Sequence, residues 1–147
     1  APEYVPYYMT GARLTLPLHK KFTAKLFLLN GWQVIEDVNT PLAFASQFEY
    51  KPADKLTLTL NTYYGNEQSA SIPNNKIRTF LDFYAIYQAE KIHITLSSYI
   101  GNQKRKDNDD KVSNNAWWQA NAAARYFVNQ RHSLTIRGEY LSDPKVL

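Results

Sequence analysis

The chain contains no cysteine, so neither a disulfide framework nor a thiolate-bound metal is available to it. No apolar run approaches the ~18–20 residues of a membrane-crossing helix. Glycine is scarce, with five residues in 147. Three of them, Gly31, Gly65 and Gly101, fall at the ends of strand-like segments, where they relieve the strand-to-loop junction. No G-x-S-x-G, P-loop or H-E-x-x-H pattern occurs, so no familiar hydrolase, nucleotide or metalloprotease chemistry is announced. The three histidines, His19, His93 and His132, lack the spacing of a metal site. The net charge of +4 is scattered rather than gathered on one face, which argues against a nucleic-acid surface. The sequence opens on Ala1-Pro2-Glu3, so any targeting segment is expected to be missing from it.

What the chain has is alternation. Leu56-Thr57-Leu58-Thr59-Leu60-Asn61-Thr62-Tyr63-Tyr64 puts leucines on one side and polar residues on the other, the period of two of a strand with one dry face. Eight such segments can be read, at about 7–18, 22–32, 41–51, 56–65, 77–88, 92–101, 116–127 and 132–141. Their length suits a tilted strand crossing a bilayer, which needs about 9–11 residues. The connections alternate in kind. Lys20-Lys21, Pro52-Ala53-Asp54-Lys55, Ala89-Glu90-Lys91 and Val128-Asn129-Gln130-Arg131 read as tight turns, whereas 33–40, 66–76 and 102–115 read as longer polar loops. The expected fold is an all-β, antiparallel up-and-down meander of about eight strands, part of a transmembrane β-barrel with short turns at one end and long loops at the other.

The dry faces carry no charge. At their ends stand aromatics suited to the headgroup level: Tyr8, Trp32, Tyr64, Trp118 and Tyr140 toward the long loops, and Phe22, Phe48, Tyr50, Tyr87 and Tyr126 toward the short turns. Leucine, isoleucine and alanine fill much of the band between them. The opposite faces hold Arg13, Lys25, Glu49, Arg78, Asp82, Arg125, Arg137 and Glu139 among many Thr, Ser, Asn and Gln. As lumen residues these eight are the candidates for pore selectivity, with five positive and three negative charges giving 5 − 3 = +2. They can equally pair across strands and stiffen the wall. Met9, Phe27, Leu29, Trp117 and Phe127 break the polarity of this face. Alternation alone does not fix the direction of curvature. A soluble, lipocalin-like barrel would turn the apolar face inward around a small apolar ligand.

Several phrases carry a resemblance. Leu29-Asn30-Gly31-Trp32 followed by Asp37 and Asn39, then Phe48-Glu49-Tyr50-Lys51-Pro52 and Asn61-Thr62-Tyr63-Tyr64-Gly65, resemble segments of outer-membrane β-barrel porins of the Bacteroidetes type. The opening Pro2-Glu3-Tyr4 … Thr10-Gly11 and the closing Ile136-Arg137-Gly138-Glu139-Tyr140-Leu141-Ser142-Asp143 are similar to the same family. The resemblance implies a barrel in the bacterial outer membrane, a porin-like passive channel for small solutes or ions, without enzymatic activity and without a cofactor or metal. The alternative within that setting is a non-conducting scaffold acting through its extracellular loops. The expected partners are the lipid bilayer, lipopolysaccharide and the solute, with no nucleic acid. The expected organisation is one domain over 1–147, an internal or partial segment of a larger barrel, because both ends fall on the long-loop side. The two edges of such a segment would seek partners, so oligomers are compatible with it. The charge run Lys104-Arg105-Lys106-Asp107-Asn108-Asp109-Asp110-Lys111 reads as a solvated loop whose signs cancel.

Overall fold

Period-two patterning builds a single antiparallel sheet in the computed structural model, which describes residues 5–6, 8–35, 42–67, 75–106 and 111–144. Its strands are β1 (Gly11–His19), β2 (Phe22–Leu29), β3 (Ala43–Ala53), β4 (Leu56–Asn66), β5 (Asn75–Gln88), β6 (Ile92–Lys106), β7 (Val112–Phe127) and β8 (Ser133–Ser142). Each pairs with the next in chain order, and among the described residues β1 and β8 are paired on one side only. The up-and-down meander expected from the sequence is therefore the fold, with the sheet left open between β1 and β8.

The short turns are fixed by local chemistry. Between β7 and β8, Asn129 Oδ1 accepts the backbone N–H of Arg131 and of His132, each at 2.9 Å. The Val128 N–H also donates to the His132 carbonyl at 3.0 Å, closing the turn. Pro52 belongs to β3 rather than to the turn, at a break in register between Tyr50 and Ala53, where a residue without an N–H is tolerated.

The long-loop end departs from the sequence expectation. β6 and β7 stay paired out to Lys106↔Val112, so most of 102–115 is strand rather than loop. The reason is that Gln103 and Asn115, opposite one another in register, are buried on the inward face, at 2% and 7% exposure. Polar residues that look like loop are here strand residues filling a covered face. Conversely, β1 starts at Gly11 and β2 stops at Leu29, short of the expected 7 and 32. Asp37 and Asn39, Pro73 and Asn74, the acidic part of the charge run at 107–110, and residues 1–4 and 145–147 lie outside the described residues.

The two faces differ in the sense that decides curvature. The apolar face is the open one: Phe44 is 60% exposed, Leu96 49% and Ile136 73%. On the other face Thr59 and Trp117 are each 1% exposed. A flat single sheet would leave both faces equally open, so this one coils with the polar face inside, as strand twist favours. The inside-out arrangement around an apolar interior is not the one adopted. An apolar outer band spread over all eight strands far exceeds the patch of a few hundred Å² that a soluble monomer tolerates.

Candidate functional site

The inward face divides into two zones along the strands. Nearest the long loops, one rung of the sheet runs Arg13, Phe27, Ala45, Tyr63, Phe80, Gly101, Trp117 across β1 to β7. Tyr63, Phe80 and Trp117, with Tyr99 from the next rung, belong to a buried cluster, and the half-buried Phe27 packs against it. Gly101 is what lets it close. A Cβ there would overlap the indole of Trp117, so that ring packs directly against the Gly101 backbone.

Trp32 completes the cluster, and this corrects its expected place in the lipid-facing girdle. The strand period ends at Leu29, and the chain then bends at Gly31 (φ +141°), a conformation suited to glycine. The bend delivers Trp32 onto the inward face, where it is 6% exposed. Its ring meets Tyr63 edge-on at 4.9 Å and Phe80 at 5.2 Å between centroids. Glu67 clasps the arrangement by accepting from the Tyr63 hydroxyl and from the Trp32 backbone N–H. Arg78 sits within it. Its guanidinium carbon lies 4.9 Å from the Trp32 ring and 5.9 Å from the Trp117 ring, and its Nε donates to Gln103 Oε1 at 2.9 Å.

The second zone is polar. On the next rung Lys25 Nζ donates to Gln47 Oε1 at 2.7 Å, Gln47 Nε2 to Asn61 Oδ1 at 2.8 Å, and Asn61 Nδ2 to Asp82 Oδ2 at 2.7 Å. Four adjacent strands are thus linked by one directional chain of side-chain hydrogen bonds. Farther on, Gln119 donates to Glu139, which also pairs with Arg137, and Asn121 donates to Ser97. Glu49 pairs with Lys51 at 3.1 Å. Arg125 lies over the Phe127 ring at 4.9 Å and donates to Ser133, while Arg13 is exposed on the edge strand.

All eight charged candidates therefore share the inward face, but they do not form one charged ring. Lys25 and Asp82 belong to the hydrogen-bonded chain, Arg78 to the aromatic cluster, and Glu49, Arg137 and Glu139 to ion pairs. Of the candidate girdle residues, Phe22, Tyr50, Tyr64, Tyr87, Trp118, Tyr126 and Tyr140 share the outward face, Phe22 stacking near Phe48 and Trp118 near Tyr140. Tyr8 precedes β1 and its hydroxyl donates to the Gln33 carbonyl at 2.8 Å. Sequence reasoning missed the aromatic cluster and the Gln47–Asn61 bridge. The signal was present in Tyr63, Phe80 and Trp117, which lie in phase with the polar face. Aligning them on one rung requires the strand register. Among the described residues no cluster of metal-ligating side chains occurs.

The family described as "Putative beta-barrel porin-2, OmpL-like" matches the chain over residues 1–147. The chain belongs to this family. No curated protein and no solved structure is a significant match to it. Membership of a β-barrel porin family implies that this porin-like chain is embedded in a membrane; its apolar face is the outward one and its hydrogen-bonded face the inward one. The phrases that resembled such porins now have physical roles. In Leu29-Asn30-Gly31-Trp32 the glycine turns the tryptophan inward. In Tyr63-Tyr64-Gly65 one tyrosine joins the interior cluster and the next is exposed on the outward face.

Proposed function

We propose that this domain is wall of an aqueous, passive outer-membrane channel for small solutes or ions, with a mild preference for anions and no enzymatic activity. The observation that supports it is the pairing of faces: an uncharged apolar exterior bounded by aromatics, and an interior lined by amides, hydroxyls and charges. Open edges at β1 and β8 would each leave unpaired N–H and C=O groups in the bilayer, costing several kcal/mol per group. Strand pairing at both edges therefore completes the wall in the intact protein, as expected for a segment of a larger barrel. The long loops lie on the extracellular side, where they meet lipopolysaccharide. Among the five basic candidates, Arg13 and Arg125 are exposed without an ion pair among the described residues, Arg137 is exposed but paired with Glu139, and Arg78 is held between two indoles.

Conductance of the full-length protein in planar bilayers under a salt gradient tests this reading. Stepwise openings with an anion-directed reversal potential are expected. Arg125→Gln should move that potential toward cations, and Arg78→Gln should leave it nearly unchanged. Absence of conductance from correctly folded protein would favour the scaffold reading, in which the loops act and nothing passes.

A further inference from the structure

Against the inward face a cavity of about 390 Å³ opens between Val5, Pro6 and Met9, which precede β1, and the strands β2 to β5. That volume lies within the ~300–1,000 Å³ range of small-molecule sites. Met9, Phe27 and Phe80 contribute an apolar wall, and Gln47, Asn61 and Asp82 a polar floor. Among the described residues Asp82 is the one lining residue with a formal charge. The ion pairs named among the described residues are Glu49–Lys51 and Arg137–Glu139, so no lysine or arginine there pairs with Asp82.

The hydrogen-bonded chain explains how that carboxylate is presented. Every donor in it points the same way, from Lys25 through Gln47 and Asn61 to Asp82 Oδ2. Each amide fixes the next, so the carboxylate is held in one orientation. The balancing positive charge is at the far end of the chain, on Lys25, which does not line the cavity. A half-buried carboxylate under an apolar wall, with its cation two amides away, is complementary to a ligand that brings both a cation and an apolar body. We infer that this cavity is a binding subsite for small organic cations, an ammonium or guanidinium on a compact apolar frame, with Asp82 reading the charge. The subsite goes beyond the channel reading, since binding needs no conduction.

Equilibrium dialysis of the full-length protein in detergent micelles, against protein-free micelles to subtract partitioning, gives the test. Phenethylamine, phenethyl alcohol and phenylacetate are the probes, alike in frame and different in charge. The amine should bind about tenfold more tightly than the alcohol, the scale of one charge-assisted hydrogen bond, with phenylacetate weakest. Asp82→Asn should bring the amine to the level of the alcohol and leave the alcohol unchanged. Ala45→Phe, which adds bulk to the cavity from β3 and leaves Asp82 itself in the sequence, should weaken amine and alcohol together, and it decides the matter if Asp82→Asn does not fold. Equal binding of the three probes, a preference for phenylacetate, a tenfold amine preference that survives Asp82→Asn, or amine binding untouched by Ala45→Phe would overturn the subsite. A protein that conducts nothing yet prefers the amine upholds it, and one that conducts without the preference overturns the subsite alone.

Discussion

At the scale of single residues, the interior is organised around what one glycine permits. Gly101 opposes both Phe80 and Trp117 in register, and its missing side chain is the space the indole occupies. Gly101→Val would drive a side chain into that ring and force a rearrangement, an overpacking cost of about 1–3 kcal/mol. Urea unfolding in lipid vesicles should show the lower midpoint, and an unchanged midpoint would mean the indole does not rest there. Arg78 belongs to the same unit. Arg78→Gln removes contacts to two indoles and to Gln103, so its effect should register in the same unfolding assay rather than in selectivity. The sequence grouped Arg78 with Arg125 because both fall on polar faces. Burial separates their roles, and burial is not a property of a residue's place in an alternating pattern.

At the scale of elements, the strands were legible because one uncharged face repeats at every second residue. The facing of β6 shows the energetic content of that repeat. Leu96 lies at the middle of the outward apolar run from Ile92 to Ile100 of β6, and Tyr126 on β7 lies at its short-turn end. Leu96→Arg should cost about 2–4 kcal/mol and Tyr126→Arg only about 0–1 kcal/mol, because the penalty for a cation falls from midplane to interface. Equal costs at both positions would contradict the assigned depth. Strand ends were less legible. Gln103 and Asn115 are polar and sit in a run of Asn, Gln and Lys, yet they extend β6 and β7 because the face they occupy is covered by other side chains. Trp32 erred in the opposite sense. It continued the apolar phase of β2 on paper, but the backbone had already turned at Gly31.

At the scale of the whole molecule, adjacent tryptophans report the direction of curvature. Trp117 is buried inside and Trp118 is 42% exposed on the outer face. In vesicles of brominated lipid, a variant keeping only Trp118 should be strongly quenched and one keeping only Trp117 weakly. The reverse pattern would turn the sheet inside out. This pair isolates the membrane question from the channel question, because lipid contact on the outer face does not require an open lumen.

The sequence by itself determined the number of strands, their antiparallel order and, within the strands, the residues that share a face, because each follows from a local period and from turns two to five residues long. It also carried, in short phrases, the membership of a β-barrel porin family. Only the tertiary structure decided which face lies inside, since a period of two is the same whichever way a sheet curls. Only the register across β2 to β7 brought Tyr63, Phe80 and Trp117 to one rung, set Gly101 beneath an indole, and aligned Lys25, Gln47, Asn61 and Asp82 into a single hydrogen-bonded chain. Those are contacts between residues 14 to 25 positions apart, and no local pattern encodes them.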